Sequence, residues 1–357
     1  KKHYSIEELQ TQNRNTESLL KTIKKSKAVE AKLEGIFNEM PVLPIKYLKT
    51  SERLELNELF EIKSFLFSYL HLQELLKEHK LNSQHPLPDM QKMFSLLDPE
   101  GNKLPTFRIY PSYSPVLKKL TQKQFNIATR LKETRQKDLE KAKKELQIPT
   151  LKEEFTLSRN RQEQLEAILA SQYFIVVSEG LVNYNFRLAD SKAAADLKAE
   201  LLQLSMELTE EENKILSSLT TQIQNAFSNF ELAYNSAEEY AWDFCLAKFA
   251  FHHKCCLPTI THSFECIYLS EAVNLPLKLF LEALQRQYQP LNIEMRKKDN
   301  LITGPNMGGK STALITIGQM CILASIGIPL PAKNAKLPLF DEVYYNHDAG
   351  ENSETLS

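Results

Sequence analysis

The sequence predicts a mainly α chain with an α/β portion towards its C-terminal end. Two observations carry this. Apolar residues recur at three- and four-residue spacing over long stretches of the first 256 positions. Of nine glycines, six lie at or beyond Gly304, where short apolar runs alternate with turn residues. A length of 357 residues suffices for two or three domains with a sizeable core.

Residues 1 to about 110 read as mostly helical. Leu59, Ile62, Leu66 and Leu70 mark one amphipathic face. The pattern breaks at "QHPLPDM" and at "DPEGNKLP", both rich in turn residues. A long polar helix is expected from Pro115 to about Leu146, since proline suits a first helical position. Its apolar stripe is thin (Leu117, Leu120, Phe125, Ile127, Leu131), which suits an arm rather than a core helix. Residues 172–190 break the helical pattern and read as a β-hairpin around Ser178-Glu179-Gly180. Helix returns from 191 to about 256. There Leu197, Leu201, Leu204, Leu208, Ile215, Leu219, Ile223, Phe227 and Phe230 keep a coiled-coil-like spacing. Two such helices flanking a short hairpin predict antiparallel arms with the hairpin near their tip. After Pro258, "SFECIYL" is a strand candidate, Leu277–Tyr288 a short helix, Leu301–Thr303 a strand and Lys310–Ile326 a helix. "LPLFDEVYY" is the next strand candidate.

Composition is that of an ordinary folded chain, with 42% apolar and 25% charged residues. A formal net charge of −1 excludes a polycation, so any nucleic-acid binding would need a local patch. No uninterrupted apolar run approaches the roughly 20 residues of a membrane helix, and no secretory segment opens the chain. Five cysteines without framework spacing argue for reduced thiols and a cytoplasmic setting. Lys1-Lys2 is no natural start and Glu354-Thr355-Leu356-Ser357 ends mid-pattern, so the sequence reads as a piece of a longer protein.

The chemistry concentrates in "DNLITGPNMGGKSTALI". Gly304-Pro305-Asn306-Met307-Gly308-Gly309-Lys310-Ser311 matches G-x-x-x-x-G-K-[ST] between a short apolar run and a helix start. Phosphate oxygens need convergent donors, which consecutive backbone N–H groups and a helix N-terminus supply. Glycine at 304, 308 and 309 lets the phosphates approach the backbone. Lys310 supplies the point charge for the β- and γ-phosphates and is the catalytic candidate. The Ser311 hydroxyl is placed to ligate Mg²⁺.

Inside that pattern the chain resembles the MutS family of ATPases. "TGPNMGGKST" is the loop this family carries, with Pro305, Asn306, Met307 and Gly308 in its variable positions. "GIPLPAKNAKLPLFDEVYYN" resembles the segment that follows it in the family. "LLDPEGNKLP" and "YQPLNIEMRKKDNLITGPN" extend the likeness upstream. The resemblance implies ATP and Mg²⁺ as ligands, with Asn306 at a phosphate and Thr312 in support. It also implies a helical lever and core over 1–114, helical arms over 115–256 with the hairpin at 172–190, and the N-terminal part of a P-loop ATPase domain over 257–357. The family dimerises through its ATPase domains, so a homodimer, or a heterodimer with a paralogue, is implied.

The chain departs from the family at "SEAVNLP", which has neither the arginine nor the histidine of the corresponding stretch. In "NHDAGENSETLS", Glu351, Asn352 and Glu354 match only weakly. The sequence stops about where the signature loop would follow and before a Walker B acidic pair. These 357 residues alone are therefore expected to bind nucleotide weakly and not to turn it over, hydrolysis belonging to the full-length protein.

Other candidates read differently. Phe37-Asn38-Glu39 and Phe280-Leu281-Glu282 spell F-x-E but fall in helical stretches, not on a DNA-wedge loop. His252, His253, Cys255 and Cys256, with His262 and Cys266, lack the C-x₂₋₄-C spacing of structural zinc and read as packing at a helix end. Lys118, Lys119, Lys123, Arg130, Lys132, Arg135, Lys137, Lys141, Lys143 and Lys144 are diluted by acids, as on a solvated face. His347 and Asp348 are weak candidates for a place near the γ-phosphate. Two readings of function stay open: an ATP-driven dimeric clamp on branched or recombining DNA, and a MutS-like ATPase acting as chaperone or reactivase for a metabolic enzyme. The near-neutral charge and the short hairpin, with Arg187 its one arginine, motivate the second.

Overall fold

The computed structural model describes residues 4–79, 81, 85–296, 299–305 and 308–346. Among the described residues it is mainly α, with two small sheets. Helices α1 (Ile6–Lys25), α2 (Lys27–Glu39), α3 (Ile45–Thr50), α4 (Leu56–Glu78) and α5 (Gln91–Leu97) come first. The chain divides into two compact units. One comprises the chain up to Leu43, Ser64–Gln91 and everything from Phe227 on; the other holds Pro44–Lys63 and Lys92–Ala226.

In the second unit, helix α6 (Pro115–Glu145) starts as the sequence requires. Ser114 caps it, its hydroxyl accepting from the Val116 and Leu117 N–H groups, with Pro115 at the first position. It packs along α8 (Lys192–Asn225). Ser114 bonds Glu211, Lys123 pairs with Glu200 and Arg135 with Asp190. One number falls as the other rises, so the two helices run antiparallel.

Between them lies the tip: β1 (Glu154–Ser158), α7 (Gln162–Ala170), β2 (Phe174–Glu179) and β3 (Asn183–Leu188). The expected hairpin is β2–β3, with a bulge between Val176 and Ser178. The sequence reading missed β1, which pairs antiparallel with the other side of β3. Phe155 of that strand stacks on Phe186 at 5.4 Å and meets Phe174 edge-on at 5.1 Å. These rings close the tip's own core.

The helix expected over 191 to about 256 is two helices. It breaks at Ala226 before α9 (Phe227–His252). Neither proline nor glycine marks the break. It falls where the chain passes from one unit to the other.

A buried ion pair anchors the second unit. Lys63 reaches Asp98 at 2.9 Å, with side-chain exposures of 0% and 2%. Asp98 also accepts from the Lys103 N–H at 2.8 Å, and the rings of Phe94 and Tyr110 flank the ammonium. Burial by itself pushes the Asp98 carboxyl up. The Lys103 N–H and Lys63 together outweigh it and hold the group below its ordinary range. Replacing Asp98 by asparagine leaves Lys63 buried without its counter-charge and costs about 3 kcal/mol, read as a lower urea midpoint. Because the folded pKa is lowered, the native contribution is full above the ordinary carboxylate range and fades as pH falls through the lowered value. The D98N variant lacks that acid-side fall.

Among the described residues of the first unit, one buried hydroxyl stands out. Thr16 on α1 is 1% exposed, and its Oγ1 has no hydrogen-bond partner. Thr16→Val keeps the shape and removes the unmet group, so it should raise stability by about 1 kcal/mol in thermal unfolding.

Candidate functional site

The C-terminal part of the first unit is built on a four-stranded sheet. Its strands are β4 (Thr259–Thr261), β5 (Ile267–Ala272), β6 (Leu291–Met295) and β7 (Asn334–Pro338), with α10 (Leu275–Ala283) between β5 and β6. Their order is β4-β7-β5-β6, with β4 parallel to β7 and the other pairs antiparallel. Helix α11 (Lys310–Ser325) places Ile317, Met320, Cys321 and Ala324 in one core with Ile260, Leu269 and Leu337 of this sheet.

Two strand expectations are corrected here. Leu301–Thr303 joins no ladder; Leu301 points outward, while Ile302 packs against the core. The strand expected over Leu337–Tyr345 begins earlier and ends at Pro338, which has no N–H to continue a ladder.

The glycine-rich loop enters α11 through Gly309, whose φ of +82° is left-handed. An L side chain is strained there, so the loop turns into the helix only on glycine. Gly308 is needed for another reason. Its N–H donates to the Pro305 carbonyl at 3.1 Å, and an added Cβ would lie 2.9 Å from that oxygen. At Gly304 a Cβ would be 3.9 Å from the Lys310 side chain, an ordinary contact, so the protein itself makes no such demand there. The sequence reading asked for glycine at 304 on behalf of a bound phosphate.

Lys310 closes the loop as a collar. Its Nζ donates to the Gly304 carbonyl at 2.8 Å and to the Pro305 carbonyl at 2.7 Å. The first helical bond runs from the Ala313 N–H to the Gly309 carbonyl at 2.8 Å. The amides of Lys310, Ser311 and Thr312 precede it, at the positive end of the helix dipole. Ser311 is exposed beside them, and Thr312 gives its carbonyl to the Thr316 hydroxyl at 2.7 Å. The cradle that a side chain at 308 would fill, the cation and the helix start together fit a phosphate group. Asn306 and Met307 lie outside the described residues, as do His347, Asp348, Glu351, Asn352 and Glu354.

The remaining candidates are placed elsewhere. Phe37 of the first F-x-E sits on α2, its ring 5.6 Å from Phe244. The second F-x-E lies on α10, where Glu282 pairs with Lys278. His252 at the end of α9 reaches Glu30 at 2.8 Å, and Cys256 pairs through its backbone with Leu330. Burial pushes the Cys255 thiol up to about 12 and those of Cys256 and Cys321 up to about 11. Thiols held protonated are poor metal ligands. Among the described residues no three His, Cys, Asp or Glu side chains converge on a metal position. On the arm helix, Lys123, Arg135 and Lys143 are each paired with an acid. Alkylation at pH 8 should therefore modify exposed Cys245 first, with Cys255, Cys256 and Cys321 at least tenfold slower by mass mapping.

A small mixed sheet that packs a glycine-gated helix start, joined to long paired helices, defines the class. Residues 300–355 match the model of MutS domain V. The chain is 40% identical over 89 residues to the DNA mismatch repair protein MSH3 of Candida glabrata, covering 24% of this chain and 8% of that protein. It is 31% identical over 150 residues to the endonuclease MutS2 of Aquifex aeolicus, covering 42% of this chain and 19% of the relative. It is 47% identical over 57 residues to the DNA mismatch repair protein MutS of Thermus thermophilus, covering 16% and 7%. These matches support a MutS-family ATPase, with the family model itself matched over residues 300–355. It spans less than a fifth of the length of these curated relatives.

Proposed function

We propose that residues 304–312 bind ATP with Mg²⁺, and that the protein carrying this chain is an ATP-driven clamp on DNA that works as a dimer. The observation that carries this reading is the Lys310 collar at a left-handed glycine helix start. Lys310 holds the cation where the loop carbonyls converge, and Gly308 keeps the cradle open. The Lys310–Thr312 amides aim the helix dipole into that cradle, and the Ser311 hydroxyl stands where Mg²⁺ would take an oxygen ligand. Bound Mg-ATP would supply the phosphate charge that these groups neutralise, and the positioned charge is what this site class offers to catalysis.

The matched relatives support DNA as the object. Two are described as DNA mismatch repair proteins and one as an endonuclease. The MutS2 match covers the longest stretch of the three quoted, 42% of this chain.

The arm tip supports a second reading, action on a protein. Arg159 is held by Glu179 at 2.5 Å and stacked on the Tyr184 ring, and Arg135 by Glu153 and Asp190. Beside exposed Arg161 and Arg187, the tip carries an aliphatic strip: Ile175, Val176 and Val177 on the outer strand β2, and Leu181, 97% exposed, at the turn. Such a surface suits a protein better than phosphates.

A fluorescent ATP analogue with Mg²⁺ should bind the native protein, and Lys310→Met should weaken it by about ten- to a hundredfold, the worth of a hydrogen bond to a charged group. Equal affinities would remove the reading of the loop. Titration of a four-way junction and of plain duplex at low and high salt then decides the object. Salt-sensitive preference for the junction supports DNA. No binding at low salt, beside capture of an enzyme partner, moves the assignment to the second reading.

A further inference from the structure

The far end of the phosphate-loop helix rests on the first helix of the chain. Helix α11 closes in a Schellman turn: the Ile328 N–H donates to the Leu323 carbonyl at 2.9 Å and the Gly327 N–H to Ala324 at 3.2 Å. Gly327 takes a φ of +74° to do so. Its carbonyl then points outward and accepts from Gln12 Nε2 at 3.3 Å. A Cβ on Gly327 would lie 2.6 Å from Gln12 Oε1, so the side chain lies directly over the turn. Beside it, Asn13 donates to the Pro258 carbonyl just before β4 at 3.4 Å, and Ile6 packs against the core that α11 shares.

We propose that Gln12 is a positioning residue for the phosphate loop, setting the seat of α11 from its opposite end. This rests on the nucleotide reading of residues 304–312. An α-helix moves nearly as a rigid rod, and this one is about 24 Å long. Its outward residues Leu314, Ile315 and Ile322 are only partly covered, by the segment around Phe340 and Val343, and give it looser support on that side. Its inward residues are packed, so a shift along the axis must be taken up at its ends. At the start, the Lys310 ammonium holds two loop carbonyls, and a phosphate that draws it away obliges the helix start to readjust. At the other end, the turn is tied to Cys256 through the Leu330 bridge and to α1 through Gln12. Helix α1 packs along α9, so the position of α11 is communicated to the helical part of its own unit. By linkage, a contact that favours the seat of α11 in which the loop accepts phosphate raises the loop's affinity, and its loss lowers it.

The test uses the full protein with Mg²⁺ and ATP-γ-S. Gln12→Met keeps the side-chain length and loses the donor; Gln12→Glu sets a carboxylate against the carbonyl. The expected result is a three- to tenfold weaker affinity for Gln12→Met, roughly as contacts that tune coupling do, and a larger loss for Gln12→Glu. Asn13→Ala, which loosens α1 away from α11, should stay within twofold of native. Affinities for both Gln12 variants within twofold of native overturn the inference. An equal loss in Asn13→Ala overturns it too, because that marks general loosening of α1. Hydrogen exchange without nucleotide gives a separate readout. The Gly327 and Ile328 amides should exchange faster in Gln12→Met, and unchanged rates overturn the clasp. A native protein that binds no nucleotide defeats the reading of the loop instead, and the exchange result still decides the contact.

Discussion

Helix α11 is bracketed by two left-handed glycines, and most of its module depends on that. Gly309 lets the loop turn into the helix, and Gly327 turns the chain out of it. Between them, Ile317, Met320, Cys321 and Ala324 fill the core that covers the small sheet. The φ angles at both ends cost an L side chain more than they cost glycine. The helix is therefore delimited by backbone geometry, and the Lys310–Thr312 amides form its first turn because Gly309 lets it start there. Strand β7 follows within a few residues of the second glycine and pairs with both β4 and β5. One short segment thus sets the loop, the core and the middle of the sheet.

The other unit solves a different problem. Its arms are polar helices with thin apolar seams, and they need support along their length. Ion pairs between the antiparallel α6 and α8 supply alignment more than energy, since exposed pairs contribute little each. The tip has a core of its own, closed by three phenylalanines on three strands. At its other end the unit relies on the buried Lys63–Asp98 pair, where a helix and a turn meet without water. A buried pair of this kind specifies which groups meet more than it adds net stability.

Much of this was legible in the residues. The helix start at Pro115, the hairpin around Gly180, the limits of α11 and the loop pattern are local matters, decided by propensity and backbone freedom within a few residues. The periodic leucines of 197–223 are inside or half-inside because helical spacing places them on one face. Other features were not legible. Strand β1 is five residues long, and its partner β3 lies 25 positions further on. Lys63 sits on a helix where a lysine ordinarily reads as surface, yet Asp98 draws it inside. The break at Ala226 carries no helix-breaking residue. Within the candidate site, the glycines and Lys310 were evident from their pattern, whereas the carbonyls that Lys310 holds became known only from coordinates.

The sequence by itself determined the class of elements, the family likeness and the chemistry of the loop. Each follows from short-range rules: which residues accept a left-handed φ, which spacing repeats on a helix face, which cation stands after two glycines. Only the tertiary structure decided that residue 12 lies on residue 327, that residues 63 and 98 share a charge pair, and that Leu301–Thr303 stays out of the sheet. Those outcomes depend on packing between segments far apart in the chain. A buried contact of this sort depends on shape and desolvation at both partners, and neither partner's local sequence records the other.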